Sequence, residues 1–496
     1  MEHSDAAQVA ALVGALGAVL VLLGRGRLVP VAGLLLLGAA SALLGRSLVG
    51  DDDIELLLTR PAGIALIAAG IAAAVLIAAP LTRFPEATPV ALLAVAPFRI
   101  PVGLGDEDAF LLLPLYLVLT ASVLALAYRM LRGVVPPPVP RLLGLPIAAF
   151  VGFAAISYLW THDEHQGGIV LAFFVFPFVA GFGVVARSPL ADWVPRALAF
   201  TLVALGALFA AIGVWQAHTR TLFFARDLEV ANAYTTWFRV TSLFKDPSLY
   251  GRYLVVPIAV LLVLLWFRRG RPLDWAVIAA VIAFLFLGLY FSYSQSSFVA
   301  LFVVTFAIAL VGAGRRLRVV LIVCAAAATL AAAGVAAQSV DGKSAKEITS
   351  GRSRLVDITL DAFRVNPAVG VGIGGQAQAS AEANGRRSPL RSASHTTPLT
   401  VLAELGVVGF ALYVWLLGAA AWALLRVTKL RRILGLSLAA IFLVLFVHSL
   451  LYAGFFEDPL MWGILGLAAA ALAATVTTPE LTPAEPASPP PELLAH

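Results

Sequence analysis

The chain predicts an all-α fold: a polytopic bundle of about 12–15 transmembrane helices with a large extracytoplasmic loop between late spans. Three observations carry this. Of 496 residues, 61% are hydrophobic and 12% charged, with a mean hydropathy of +0.95, a balance that a water-facing surface does not tolerate. Apolar stretches of about 17–25 residues recur, each long enough to cross hydrocarbon about 30 Å thick. Basic residues gather in alternate short connections, with neutral or acidic ones between them. The implied solvent is a lipid bilayer, and no nucleic-acid partner is expected. The single cysteine, Cys324, sits in an apolar run and excludes disulfides and thiolate metal sites.

In chain order the spans fall near 6–24, 28–49, 62–80, 88–104, 109–131, 142–160, 168–187, 192–216, 247–267, 274–291, 295–313, 316–336, 398–425, 434–456 and 459–477. The stretch 88–104 contains Pro97, Arg99 and Pro101 and reads as a broken or partly inserted helix. The first span follows Met-Glu-His-Ser-Asp without a basic leader, so no cleavable signal is expected. Arg25 and Arg27, Arg83, Arg129 to Arg141, Arg187 and Arg196, Arg268 to Arg271, Arg315 to Arg318, and Arg426 to Arg432 mark the cytoplasmic connections. The N-terminus and the loops 217–246 and 337–397 then lie outside. The organisation is an N-terminal membrane bundle 1–216, a central bundle 217–336 with outer loop 217–246, the large loop 337–397, C-terminal spans 398–477, and a Pro-rich, disordered cytoplasmic tail 478–496.

The first eight spans carry little chemistry. Arg46 and Arg99, near outer span ends, fit snorkelling or contact with an anionic head group. Asp51 to Asp53 fit a divalent cation site or a solvated acidic loop, and the topology favours the loop. His162, Asp163, Glu164 and His165 have metal-ligand chemistry but no further ligand nearby, which favours a plain polar hairpin. In the outer loop, Arg239, Lys245 and Arg252 accompany Trp237, Phe238, Tyr250 and Tyr253, as an interfacial belt would. The alternative is anion binding, since guanidinium holds phosphate bidentately and stays charged. The tip Tyr290 to Ser297 can either bond sugars or cap two helix ends.

In the large loop, Leu355, Ile358, Leu360, Ala362 and Phe363 alternate with Asp357, Thr359, Asp361 and Arg364 in a pattern more helical than strand-like, which Asn366-Pro367 ends. Such a helix lying on the outer leaflet would bring Arg352 or Arg354 to head-group depth. The glycines from Gly370 to Gly375 lack the strand and cytosolic setting of a dinucleotide fingerprint, and fit a turn whose amides approach an anion. His395 lies three residues before Pro398 opens a span, where it serves as a cap or as a general base near pH 7. Glu404, inside that span, would orient His395 or hold Arg354 or the 366–375 backbone. His448 reads as an interhelical hydrogen-bonding group, and Gly406 and Gly409 as close-packing residues.

Taken in order, Gly351-Arg352, Asn366-Pro367, Gly370-Val371-Gly372, His395, Glu404-Leu405-Gly406 and Gly409 resemble the signature region of the O-antigen ligase and polymerase superfamily, with Arg239 and Asp246-Pro247 resembling a second family element. Two departures are visible: Thr396 follows the His where the family has Asn, and Val356 stands where it has an aromatic residue. The resemblance implies a multi-pass protein of the bacterial cytoplasmic (inner) membrane with an extracytoplasmic active site. It implies an inverting glycosyltransferase moving a glycan from a polyprenyl-diphosphate-linked donor to a hydroxyl of a glycan, lipid or protein acceptor. His395 would activate the acceptor, and Arg239, Arg352 and Arg354 would bind the diphosphate. Lys245, Glu404, Gly370 and Gly372 would support them. A diphosphate already leaves readily, so no metal or other cofactor is expected. Ligase is preferred over polymerase because the His sits in one large outer loop between the last groups of spans. A flippase is disfavoured by the lack of internal repeats.

Overall fold

A computed structural model describes residues 3–49, 59–104, 107–320, 322–323, 352–385, 393–452 and 454–475. The acidic run Asp51 to Asp53, most of the proposed span 316–336 with Cys324, Gly351, and the tail 478–496 lie outside the described residues, as does the side chain of Arg352.

The chain is a bundle of helices. Those used below are α1 (His3–Leu23), α2 (Leu28–Leu48), α3 (Pro61–Arg83), α4 (Thr88–Val95), α5 (Leu113–Leu131), α6 (Arg141–Ile156), α7 (Glu164–Ala186), α8 (Val194–Thr219), α9 (Arg226–Ala233), α10 (Pro247–Phe267), α11 (Pro272–Ser292), α12 (Gln295–Gly312), α13 (Arg352–Val365), α14 (Gln376–Ala383), α15 (Thr397–Leu430), α16 (Arg432–Ser449) and α17 (Pro459–Ala474). Among the described residues, 12 helices are long and apolar enough to cross a membrane, and they coincide with 12 of the stretches read from the sequence. The last stretch, 459–477, forms the shorter helix α17. Large apolar side chains such as Leu76, Phe200 and Phe302 are exposed on the outside of the bundle, as hydrocarbon-facing residues are. Inside, Phe176, Phe182, Phe209, Tyr250 and Tyr413 are fully buried in one continuous core.

The stretch 88–104 is not a span. Proline at 97 and 101 removes two helical donors, so α4 stops at Val95 after crossing only about half a bilayer. The chain then extends into an antiparallel hairpin, β1 (Ile100–Leu104) against β2 (Glu107–Leu111), in register from Ile100–Leu111 to Leu104–Glu107. The hairpin pairs backbone groups that a broken helix would leave bare in lipid.

Candidate functional site

The site is built on a break in α15. At Gly406 the backbone turns to φ 63°, ψ −165°, which interrupts the helical ladder and strands two carbonyls above it and two N–H groups below. The segment after α13 fills the gap. Val371 N and Gly372 N donate to Ala403 O (3.0 Å) and Glu404 O (2.9 Å), while Val407 N and Val408 N donate to Pro367 O (2.9 Å) and Ala368 O (3.1 Å). The opposite edge of the segment is held by α6 and the turn after it. Ser157 Oγ accepts from Ile373 N (3.1 Å), Thr161 Oγ1 donates to Ile373 O (2.8 Å), and His162 N donates to Val371 O (3.0 Å).

Gly370 (φ 73°) and Gly372 (φ 87°) are required by this fit, because a Cβ on either would strike the backbone of Glu404 or of Thr161. Their role differs from the one read in the sequence. Gly370 N is bonded to Asn366 O (2.8 Å) and Gly372 N to Glu404 O, so neither amide is turned to an anion.

A cavity of about 320 Å³ lies beside the plug. Its polar wall includes Asp163, Gln166, Gln376, Ser394, Glu404 and Glu457, and Phe150, Phe174 and Phe456 are among its aromatic residues. Along it, α7 widens into a π turn over Val170–Val175, which re-aims Val170 and Phe174 toward the cavity. Glu404 takes the backbone partner open to it in the sequence: the N–H groups of Gly374 and Gln376 are bonded to its carboxylate. Glu457 is near enough to repel it. Glu457 is open toward the cavity yet ringed by protein. Burial pushes its carboxyl above the usual carboxylate range, opposed by the cations of Arg99 and Arg252.

His395 is exposed, within the Ser394–Thr397 segment whose two ends form part of the cavity wall. Its backbone is fixed locally. Gln376 Oε1 accepts from Ser394 N (2.8 Å), and Ser394 Oγ accepts from Thr396 N (3.3 Å). Arg239 is half-buried, exchanging hydrogen bonds with Asn232 (3.1 and 2.9 Å) and donating from Nε to Ser292 O at 3.4 Å. Burial lowers its pKa and the nearby Asp246 carboxylate raises it. Lys245 is exposed beside Asp246, which caps α10 by accepting from Ser248 N at 2.6 Å. Arg352 opens α13, and Arg354 is exposed on its first turn. The cavity thus joins Glu404, the plug and the peptide around His395; Arg239, Lys245 and Arg354 are not among its wall residues.

Three other expectations resolve differently or more sharply. The apolar face of α13 is covered by protein instead of lipid, because Ala362 packs with Val371, Ala379 and Ala403 and Ile358 is buried. In the Tyr290–Ser297 tip, Ser292, Ser294 and Ser297 are buried and their hydroxyls bond within the protein; Ser294 Oγ caps α12 by accepting from Ser297 N. His162 pairs through Nδ1 with Glu382 (3.2 Å), tying the turn before α7 to α14.

One cluster escapes a reading of the sequence. Arg252, which its aromatic neighbours place at the interface, is instead buried on α10 and donates from Nη1 to Asp458 Oδ2 (2.6 Å). Its Nη2 meets His448 Nδ1 at 3.1 Å, and His448 Nε2 faces the Ser248 carbonyl and Ser296 Oγ, both at 3.1 Å. A carbonyl only accepts, so Nε2 carries the proton and Nδ1 accepts from the guanidinium: this is a neutral imidazole. The available signal is three ionisable residues at or inside apolar runs, each costly unless paired with another.

No curated protein matches the sequence. Residues 280–414 match the family model described as O-Antigen ligase. The matched region runs from α11 through α12, α13 and α14 into α15, and therefore contains the plug, the helix break, His395 and Glu404. It leaves Arg239, Arg252 and Asp458 outside. This region, set in a multi-pass helical membrane bundle, is what the chain shares with the O-antigen ligase family.

Proposed function

We propose that the protein is an inverting, metal-independent, O-antigen ligase-like glycosyltransferase of the bacterial cytoplasmic membrane. It takes a glycan from polyprenyl diphosphate and passes it to an acceptor hydroxyl on the outer side. The observation that supports this reading best is the pinned Ser394–Thr397 segment: Ser394 and Thr397 line a cavity with carboxyl and amide groups, and His395 between them is exposed. Those groups suit the many hydroxyls of a sugar.

In this mechanism the neutral imidazole of His395 accepts the proton of the acceptor hydroxyl as its oxygen bonds to C1 of the donor. The bond from C1 to the diphosphate oxygen breaks, and the diphosphate leaves with the electron pair. Attack opposite the leaving group inverts C1. Arg239, Arg352 and Arg354 neutralise the departing charge, and Glu404, held by two backbone N–H groups, keeps the glycine plug in register beside the histidine. The test is glycan transfer in membranes carrying His395→Ala at normal protein level. Transfer is expected to vanish, and unchanged transfer rejects the assignment. In a deletion strain, full-length but unattached glycan supports ligase, whereas single repeats reject it in favour of a polymerase.

A further inference from the structure

A second cavity, of about 830 Å³, lies where the C-terminal ends of α1, α15 and α17 meet the start of α6. All four ends carry or adjoin connections that charge alternation assigns to the basic face, so this cavity and the glycine plug belong to opposite ends of the bundle. Arg25, Arg141, Arg426 and Lys429 form its cationic wall, each of them exposed, and among the described residues no carboxylate lines it. The four are drawn from connections far apart in sequence, so their convergence is a product of the fold and not of one basic run. Helix α6 opens in the same wall, without a side-chain cap, and adds the positive end of its dipole.

The rest of the wall is apolar. Leu23, Leu145 and Leu430 line the cavity and are exposed on the bundle surface, beside the stiff Pro137–Pro140 run. Arg426 lies over the ring of Trp422 at 5.7 Å, and Trp422 is half exposed, an arrangement typical of head-group depth. A site with several cations at one end and open leucines at the other fits a ligand that is anionic at its head and apolar along its tail.

We infer that this cavity binds an anionic phospholipid of the leaflet on the basic face, with the phosphate diester held by Arg25, Arg141, Arg426 and Lys429 and an acyl chain lying along the leucines. Binding there ties α1, α6, α15 and α17 together at the end of the bundle remote from the glycine plug.

The test uses the full-length protein purified in a neutral detergent, titrated with phosphatidylglycerol or phosphatidylcholine while thermal unfolding is followed. Phosphatidylglycerol is expected to raise Tm saturably and phosphatidylcholine to leave it unchanged. Arg426→Gln with Lys429→Gln should weaken the apparent affinity about tenfold or more, whereas Arg132→Gln, on the same face but outside the wall, should not. Leu145→Trp, which fills the cavity and keeps every charge, should also abolish the shift. Equal stabilisation by inorganic phosphate, an equal loss with Arg132→Gln, or an undiminished shift in both cavity variants would each overturn the proposal.

Discussion

Arg252 and Asp458 are separated by 206 positions in the chain and meet at 2.6 Å inside the bundle, where each side chain is at most 4% exposed. Asp458 also caps α17 through Leu460 N (2.9 Å), and Arg252 also engages His448, so one ion pair joins α10, α16 and α17.

Removing one partner leaves the other charge buried without compensation. Asp458→Ala is therefore expected to destabilise the protein by about 3–5 kcal/mol, while Arg252→Met combined with Asp458→Ala should cost far less than the two changes added. A thermal double-mutant cycle in detergent measures the coupling, and additive losses would show that the pair is not an energetic unit.

The break in α15 gives a matched pair of glycine substitutions. At Gly406 a Cβ would meet the carbonyl of Ala368 and the φ of 63° is unfavourable for any other residue, so Gly406→Ala should cost at least about 1–3 kcal/mol and loosen the plug. At Gly418, on the same helix, an added Cβ would meet nothing within 4 Å, so Gly418→Ala should be neutral or stabilising by up to about 1 kcal/mol. Limited proteolysis of the 352–385 region, compared between the two variants, reads the difference.

The proposed donor contacts differ in setting. Arg239 is half-buried and braced by Asn232 and Ser292, whereas Arg354 is exposed. Arg239→Ala should therefore raise the donor KM about tenfold or more, Arg239→Lys less so, and Arg354→Ala least. Equal losses in all three variants would point to general surface charge instead of a built phosphate contact.

Glu457 predicts a pH effect on stability. Its folded pKa lies above the unfolded value of about 4.3, so its contribution is fully present below that value and is lost as pH rises through the folded pKa. Glu457→Gln removes this dependence. The variant's Tm relative to the parent should rise as pH increases above about 4.3. A difference in Tm that stays constant with pH would mean that Glu457 is not held in this raised state.

The plug shows how far the sequence can be read. Asn366-Pro367 and the glycines that follow announce the end of a helix and a tight turn, since proline and glycine restrict or free the backbone wherever they stand. What the turn docks into is not legible there. Glycines at 370 and 372 suit an anion-binding loop and a main-chain plug equally well, and the choice depends on the carbonyls of Ala403 and Glu404 left open by a break more than thirty positions downstream. Arg252 illustrates the same limit: beside Tyr250 and Tyr253 it matches an interfacial belt, and only the arrival of Asp458 and His448 makes it an interior residue.

By itself, then, the sequence determined the bundle and its alternating faces, because the bilayer acts on each segment separately: a run of apolar residues must cross, and the cations beside it favour one side. It also carried the likeness to the O-antigen ligase family, through an ordered set of short motifs of which most fall within the matched region 280–414. The tertiary structure alone decided which polar groups are paired and which face a cavity. A buried charge or a bare carbonyl is satisfied only by a partner within about 3 Å, and here those partners come from helices that the chain brings together only when it packs.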